Sequence, residues 1–217
     1  MRRRELLHRL GQVSGLIASG GLVSSCTSST STAATSLNRT PSQNEGPFYP
    51  VQKPKDLDRN LLRQGDSESV AAGEPLQLTG RVIDTAGQPI AGATIEIWQA
   101  DNSGIYNHPR APRRAAFDAN FQGYGETRTD ADGRYQFLTI VPVPYTGRPP
   151  HIHVKVKTTG IETLTTQLYI KGHPDNDRDG ILSRLMFRNK DALMMNLRPA
   201  EPTSAQAGKA TDFDFVV

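Results

Sequence analysis

The sequence lacks features that several classes of protein require. It contains a single cysteine, Cys26, which excludes an internal disulfide framework. It has no run of about 20 apolar residues, so no membrane-spanning helix is expected. No basic stripe recurs along the body of the chain, and the 217 residues carry a net charge of only +3. Nucleic acid is therefore not an expected partner.

Much of the positive charge lies at the N-terminus, in the pattern of an export signal. Arg2, Arg3 and Arg4 precede a weakly apolar stretch rich in Gly and Ser, which ends in small residues before Cys26. The start resembles a twin-arginine motif, and the residues before Cys26 resemble a bacterial lipobox. We expect residues 1–25 to export the protein to the periplasm or cell envelope, with Cys26 as a lipid anchor or the leader simply cleaved. A short amphipathic helix of the folded domain is the alternative.

The chain after this leader divides into a linker and one domain. Residues 26–44 are rich in Ser and Thr and show no apolar periodicity, which is typical of a flexible tether. Residues 45–217 are enough for one well-buried core, and no internal repeat divides them.

Short apolar runs separated by turn residues predict an all-β fold, an antiparallel β-sandwich with long active-site loops and few short helices. The only helical signal is a turn or two within 191–197. The predicted strands cover residues 76–83, 93–98, 134–140, 151–157, 163–171 and 212–217.

Two histidines in the predicted strand 151–157 are the strongest chemical signal. His151 and His153 are two residues apart, so both side chains project from one face of the strand. Tyr106 and Tyr145 would add two phenolates to these two imidazoles. Phenolate is a hard anionic donor and imidazole suits iron, copper and zinc, so this set favours Fe(III).

Less specific interpretations exist for the same residues. The histidines alone would also fit a zinc pair, but zinc sites usually add Cys, His or carboxylate ligands. Beyond the leader the only other histidines are His108 and His173. His108 is expected to be a solvated loop residue, with a supporting position beside the metal as the alternative. Trp98 is expected in the core.

Several segments, in order, resemble the intradiol ring-cleavage dioxygenases, most closely the iron-bearing subunit of the protocatechuate 3,4-dioxygenase branch. The resemblance runs from about residue 43 to about residue 182. It rests on Glu45–Pro50, Leu78–Asp84, Glu96–Asp101, Gly104–Tyr106, Thr129–Gly133, Pro144–Tyr145, Arg148–His153 and Thr166–Tyr169.

The resemblance implies a non-haem Fe(III) enzyme that inserts both atoms of O2 into a catechol ring to give a cis,cis-muconate. It makes Tyr106, Tyr145, His151 and His153 the iron ligands, with Tyr145 the one that catechol displaces. It places Arg148 beside the reacting ring carbon and Gln167 in the wall of the site. A homo-oligomer or a partner subunit that completes the pocket is also implied.

Other functions remain open at this point. Transthyretin-like and carboxypeptidase-regulatory-like binding modules share the segments 78–98 and 127–140, but they have no need of the two tyrosines with the histidine pair. A zinc or copper hydrolase site is a third hypothesis.

The segment Asp175–Gly180 looks like a calcium-binding loop. An EF-hand needs a glutamate at its twelfth position, where this chain has Met186. We therefore expect a solvated turn.

Overall fold

The computed structural model of the protein describes residues 36–145, 147–159, 161–185, 190–201 and 208–217. The predicted export signal, Cys26 and Met186 lie outside them. Within the described part of the chain no helix is long and apolar enough to cross a membrane. The described residues belong to one compact unit.

Ten strands account for most of the regular structure in the described residues. They are β1 (Pro75–Ile83), β2 (Thr94–Trp98), β3 (Tyr124–Arg128), β4 (Arg134–Ile140), β5 (His151–Thr158), β6 (Ile161–Ile170), β7 (Met194–Met195), β8 (Arg198–Pro199), β9 (Lys209–Asp212) and β10 (Phe215–Val216). Short 3-10 helices cover Arg114–Ala116, Pro174–Arg178, Leu182–Arg184 and Asp191–Leu193.

The strands form two five-stranded sheets, and the predicted all-β fold is confirmed. In the first sheet β1 lies between β4, which is antiparallel to it, and β9 with β10, which are parallel to it. The second sheet has the order β3-β2-β5-β6-β7, antiparallel except for the last pair. Each sheet is therefore mixed, because short parallel pairs extend the predicted antiparallel framework.

The core follows from the two-residue period of the strands. Ile95 and Ile97 of β2 and Val154 and Val156 of β5 are fully buried in one hydrophobic cluster with Leu78 of β1. Each such side chain stabilises the fold by roughly 1.5–3 kcal/mol relative to an exposed one. The alternate residues of β2 and β5 therefore project from the outer face of the second sheet.

The N-terminal strap, residues 40–54, covers this outer face. Its backbone is bonded to β6, because Gln43 N donates to Thr165 O at 2.8 Å and Gln167 Nε2 donates to Asn44 O at 2.9 Å. These bonds explain why polar residues of β5 and β6 are buried although they do not face the main core.

The structure differs from the predicted strands in two places, one at the end of the chain and one in the middle. The closing strand 212–217 is interrupted, because Asp214 uses its side-chain Oδ1 to accept from Arg81 N at 2.8 Å. A Cβ at Gly80 would lie 1.9 Å from Phe213 O, so this close approach requires glycine. Strand β3 was not predicted, because its sequence YGETR lacks an apolar alternation.

Candidate metal centre

His151 and His153 open strand β5 and project from its outer face, as their spacing predicts. Their Nε2 atoms are 3.2 Å apart, and the residues are only 3% and 1% exposed. Two buried nitrogen atoms therefore converge on one point.

Tyr106 reaches the same point from the loop after β2. Its hydroxyl lies 3.0 Å from His153 Nε2, and the residue is 3% exposed. The buried Asp101 shapes this loop, since its Oδ1 accepts from Ser103 N and Ile105 N, each at 2.9 Å. A carboxylate that satisfies two backbone N–H groups fixes the turn from which Tyr106 projects.

Tyr145 lies on a tight turn just before β5. Its backbone pairs with that of Arg148, with Arg148 N donating to Tyr145 O at 2.7 Å. Its ring centroid is 5.1 Å from that of Tyr106 and 5.4 Å from that of His151. Tyr145 is half-buried, so it is the member of the group with most access to solvent.

The protonation states of the group suit a metal cation. His151 Nδ1 donates to Pro149 O at 2.7 Å, which leaves the lone pair on Nε2 directed at the other donor atoms. Burial, and to a smaller extent the positive charge of Arg148, lowers the pKa of His151 to about 4. Burial lowers the pKa of His153 well below its usual value, helped by His151. Both imidazoles are thus neutral at pH 7, the form that binds metals.

The phenol of Tyr106 is the third buried donor group of the site. Burial, and to a smaller extent the neighbouring Tyr145, raises the pKa of Tyr106 well above its usual value of 10.0. Neutral nitrogen lone pairs and a buried phenol meet here without any carboxylate, and a cation would satisfy all of them. No group of three or more His, Cys, Asp or Glu that could hold a metal occurs among the described residues. A metal at this point therefore needs the tyrosines.

The ring of His153 is held by contacts from two sides. Trp98, its register partner on β2, stacks on it with ring centroids 4.9 Å apart and an angle of 11°. Gly46 of the strap has φ +81°, and a Cβ there would lie 3.1 Å from His153 Cε1. The predicted burial of Trp98 is confirmed, but it packs with Tyr106 and Tyr124 beside the site, apart from the main core.

Arg148 is fixed by a buried carboxylate. Its Nε and Nη2 donate to Asp179 Oδ1 and Oδ2 at 2.9 and 3.1 Å, and Nη2 also donates to Gln167 Oε1 at 2.7 Å. Burial opposes ionisation of Asp179, but the hydrogen bonds from Arg148 and the backbone outweigh it and lower its pKa. The predicted solvated turn is thus wrong for Asp179, which is 1% exposed.

His108 is also not the solvated residue that was expected. It is 2% exposed, its ring lies 5.7 Å from that of Phe48, and its Nδ1 accepts from Arg110 N at 3.1 Å. Burial lowers its pKa. Its backbone N donates to Tyr106 O at 2.8 Å, and its ring packs against Phe48 of the strap. His108 therefore helps to shape the loop that carries Tyr106.

A second buried carboxylate, Glu96, attaches the strap behind the site. It is fully buried and accepts from Tyr49 OH at 2.8 Å, Lys53 Nζ at 2.9 Å and Lys157 Nζ at 2.6 Å. Sequence reasoning missed both Glu96 and Asp179. The signal for Glu96 was a charged residue between two isoleucines in a strand, which indicates a covered outer face.

A cavity of about 330 Å³ opens over the tyrosines. Its lining is mostly apolar and includes Tyr106, Tyr145 and Arg148, and the ring of Phe48 stacks on Tyr106 with centroids 4.8 Å apart. A larger groove of about 590 Å³ lies on the first sheet, but it contains none of the predicted site residues. Of the predicted site residues, Tyr106, Tyr145 and Arg148 therefore line one mostly apolar cavity.

Comparison with known proteins gives a consistent result. A family model described as "Dioxygenase" matches residues 44–217. The protocatechuate 3,4-dioxygenase beta chain of Burkholderia cepacia is 37% identical over 177 residues, covering 78% of this chain and 74% of that protein. Hydroxyquinol 1,2-dioxygenase of Rhodococcus opacus is 31% identical over 73% of this chain, which spans only 55% of its length.

Solved structures agree with these relatives. The dioxygenase domain of a dioxygenase–carbohydrate-binding protein fusion from Streptomyces sp. SirexAA-E is 36% identical, with a TM-score of 0.64 over 83% of this chain and 98% of that one. The 3-chlorocatechol 1,2-dioxygenase of Rhodococcus opacus 1CP is 28% identical, with a TM-score of 0.63 over 85% and 74%.

Proposed function

This chain belongs to the intradiol ring-cleavage dioxygenases, a family of oxidoreductases, and we propose that it cleaves a catechol with O2 at a ferric ion held by Tyr106, Tyr145, His151 and His153. The product is a cis,cis-muconate. The observation that carries the proposal is the convergence of three buried donor atoms. His153 Nε2 lies 3.2 Å from His151 Nε2 and 3.0 Å from the Tyr106 hydroxyl.

The ion's part in the chemistry follows from the donor set. When bound, a ferric ion with phenolate and imidazole ligands supplies Lewis acidity that favours a doubly deprotonated catechol and makes its ring reactive towards O2. The remaining steps depend on the protein's own side chains.

Tyr145 is the residue suited to accept a catechol proton. Tyr106 is buried against Phe48 and His153, whereas Tyr145 is half-buried at the cavity wall on a short turn. Its phenolate oxygen would be basic, because burial raises the pKa of Tyr145. The second catechol hydroxyl can therefore give its proton to the Tyr145 oxygen.

Arg148 is suited to stabilise negative charge on the ring. It lines the same cavity, and its guanidinium is held by Asp179 and Gln167 before any substrate arrives. A preorganised cation at the reacting carbon needs no reorganisation as charge develops. The apolar wall formed by Pro47, Phe48 and Ile105 keeps water from competing for the charged groups.

The alternative of a transthyretin-like binding module is not favoured. Such a module gains nothing from two neutral imidazoles and two tyrosines around one buried point. A zinc or copper hydrolase site is disfavoured by the absence of a third His, Cys or carboxylate ligand within the described part of the chain.

We also propose export to the periplasm or cell envelope and an assembly with further copies or a partner subunit. The first rests on the sequence of residues 1–26. The second is supported by similarity to a protein named as a beta chain.

The experiment that tests the proposed function is the visible absorption spectrum of the mature protein loaded with Fe(III), before and after 3,4-dihydroxybenzoate is added in air. A tyrosinate-to-iron band that changes with substrate and recovers as the substrate's ultraviolet absorption disappears is expected. Zinc-loaded protein is the control. A colourless ferric protein would contradict the ligand set, and a coloured protein that cleaves no catechol would contradict the activity.

A further inference from the structure

The cavity over the tyrosines has one cation that the proposed reaction does not use. Arg113 lines it together with Pro47, Phe48, Ile105, Ala111 and Pro112. The other cation of the lining, Arg148, is already paired with Asp179. No aspartate or glutamate lines the cavity, so no carboxylate in its wall would repel an anion.

Arg113 also has little to hold it in the protein. Its Nη2 donates to Ser103 O at 3.4 Å, a long and weak contact. Its neighbours Arg110 and Arg114 donate instead to Pro47 O and Asn107 Oδ1, each at 3.0 Å. In the part of the chain that the structure describes, none of these three arginines is in an ion pair. The loop thus brings uncompensated positive charge to the cavity.

The backbone of Arg113 is strained. It has φ 57° and ψ 24°, the left-handed conformation that favours glycine. Thr159 is the only other non-glycine residue with positive φ among the described residues. Strain of this kind persists where the surrounding structure enforces it, and it clusters at active sites and ligand sites. Here it places a guanidinium in a pocket wall that glycine would leave apolar.

We propose that Arg113 is a specificity-determining residue that binds an anionic group carried by the catechol substrate. The inference rests on the proposed function and names the kind of substrate it takes. A guanidinium binds a carboxylate through two parallel hydrogen bonds, and an apolar surrounding strengthens them. The cavity of about 330 Å³ is at the small end of ligand pockets, which suits one ring with a short acidic substituent.

The test compares acidic with uncharged catechols in wild-type protein and in Arg113→Gln. The acids are 3,4-dihydroxybenzoate and 3,4-dihydroxycinnamate, which carry the carboxylate on the ring or on a short side chain, and the uncharged substrate is 4-methylcatechol. We expect Arg113→Gln to lower the ratio of kcat/KM for the preferred acid over 4-methylcatechol about tenfold or more, chiefly through KM. Arg113→Lys should restore part of the ratio.

Two further variants separate recognition from damage to the fold. Arg113→Gly removes the side chain and relaxes the backbone, so it should lose the same preference without a loss of thermal stability. Arg114→Gln, at a residue outside the cavity wall, should keep the wild-type ratio. Raising the ionic strength from about 0.01 M to 0.1 M shortens the screening length from about 30 Å to 10 Å and should weaken only the acids.

Binding gives a readout that does not depend on turnover. Isothermal titration without oxygen should show about tenfold weaker binding of the preferred acid to Arg113→Gln than to wild type. An unchanged preference for both acids in Arg113→Gln would overturn the role of Arg113 while leaving the dioxygenase activity in place. Failure to cleave any catechol would instead contradict the proposed function, and the titration would still decide the role of Arg113.

Discussion

Asp179 holds Arg148 by two hydrogen bonds, from Nε at 2.9 Å and from Nη2 at 3.1 Å. Asp179 is itself held, because its carboxylate accepts from the backbone N–H groups of Ile181 and Leu182. The guanidinium is therefore oriented by a carboxylate that is itself anchored by the backbone of the following turn.

Replacing Asp179 by Asn should reduce catalysis without removing the metal. We expect kcat to fall about 10- to 100-fold, because Arg148 loses its ionic partner and its fixed orientation. Iron content and the tyrosinate band should remain. Steady-state kinetics with iron analysis checks this, and Asp177→Asn, at an exposed residue of the same turn, is the control. A parallel loss of iron would contradict a positioning role.

Tyr106→Phe should abolish iron binding, with affinity lowered more than about 100-fold, since one of the two proposed phenolate ligands is lost. Tyr135→Phe is the matched control, because it removes another buried hydroxyl that donates only to Phe213 O, far from the site in the core. Metal analysis after dialysis measures the difference. Equal iron retention in both variants would disprove the ligand assignment.

Gly46→Ala should weaken iron binding about tenfold or more, because the added Cβ pushes against His153 at 3.1 Å. Gly172→Ala introduces the same backbone strain at φ +76° with no atom within 4 Å. Both variants should lose similar thermal stability, about 1 kcal/mol, but only Gly46→Ala should change the iron affinity. Competition with a chelator measures it.

Low pH should weaken the attachment of the strap, because protonation of Glu96 weakens its bonds with Tyr49 and Lys53. Burial raises the pKa of Glu96, but the bonds from Lys157, Lys53 and Tyr49 outweigh burial and lower it below 4.5. The unfolded chain then binds this proton more readily than the folded protein, so the stabilisation is complete above about pH 5 and is lost as the pH falls through the folded pKa.

Glu96→Gln should therefore be less stable at pH 7 by about 1–2 kcal/mol, a value reduced because both lysines are about one-third exposed. Its stability should fall less steeply than that of wild type between pH 5 and pH 3. Urea unfolding at several pH values measures both. Parallel pH profiles for wild type and Glu96→Gln would contradict this account.

Replacing Arg3 and Arg4 together by Lys should block export, since the twin-arginine pathway reads that pair. Cell fractionation with an antibody to the mature domain measures the periplasmic share. Cys26→Ser, which removes the proposed lipid attachment point, should leave export by the arginine pair unchanged and release the protein from the membrane. Normal export of the double Lys variant would contradict the signal assignment.

The sequence predicted the parts of this molecule that depend on local periodicity. Alternating residues located most strands, and the spacing of His151 and His153 placed both side chains on one face. Tyr106 and Tyr145 were predicted by resemblance, because nothing local joins two loop residues 39 positions apart to the same point. Asp179, Glu96 and His108 could not be placed, since their burial depends on elements that pack over them from distant parts of the chain.

The strap implies an order of events as the protein folds. Its partners Lys155 and Gln167 follow Glu45 and Asn44 by 110 and 123 residues. The strap leaves the ribosome long before the strands on which it lies exist, and contacts of such long range close late. Residues around Gly46 can therefore cover His153 only after β5 and β6 have paired. The strap is among the first segments of the folded domain to be made, and until it docks the Gly46 side of the imidazole remains uncovered.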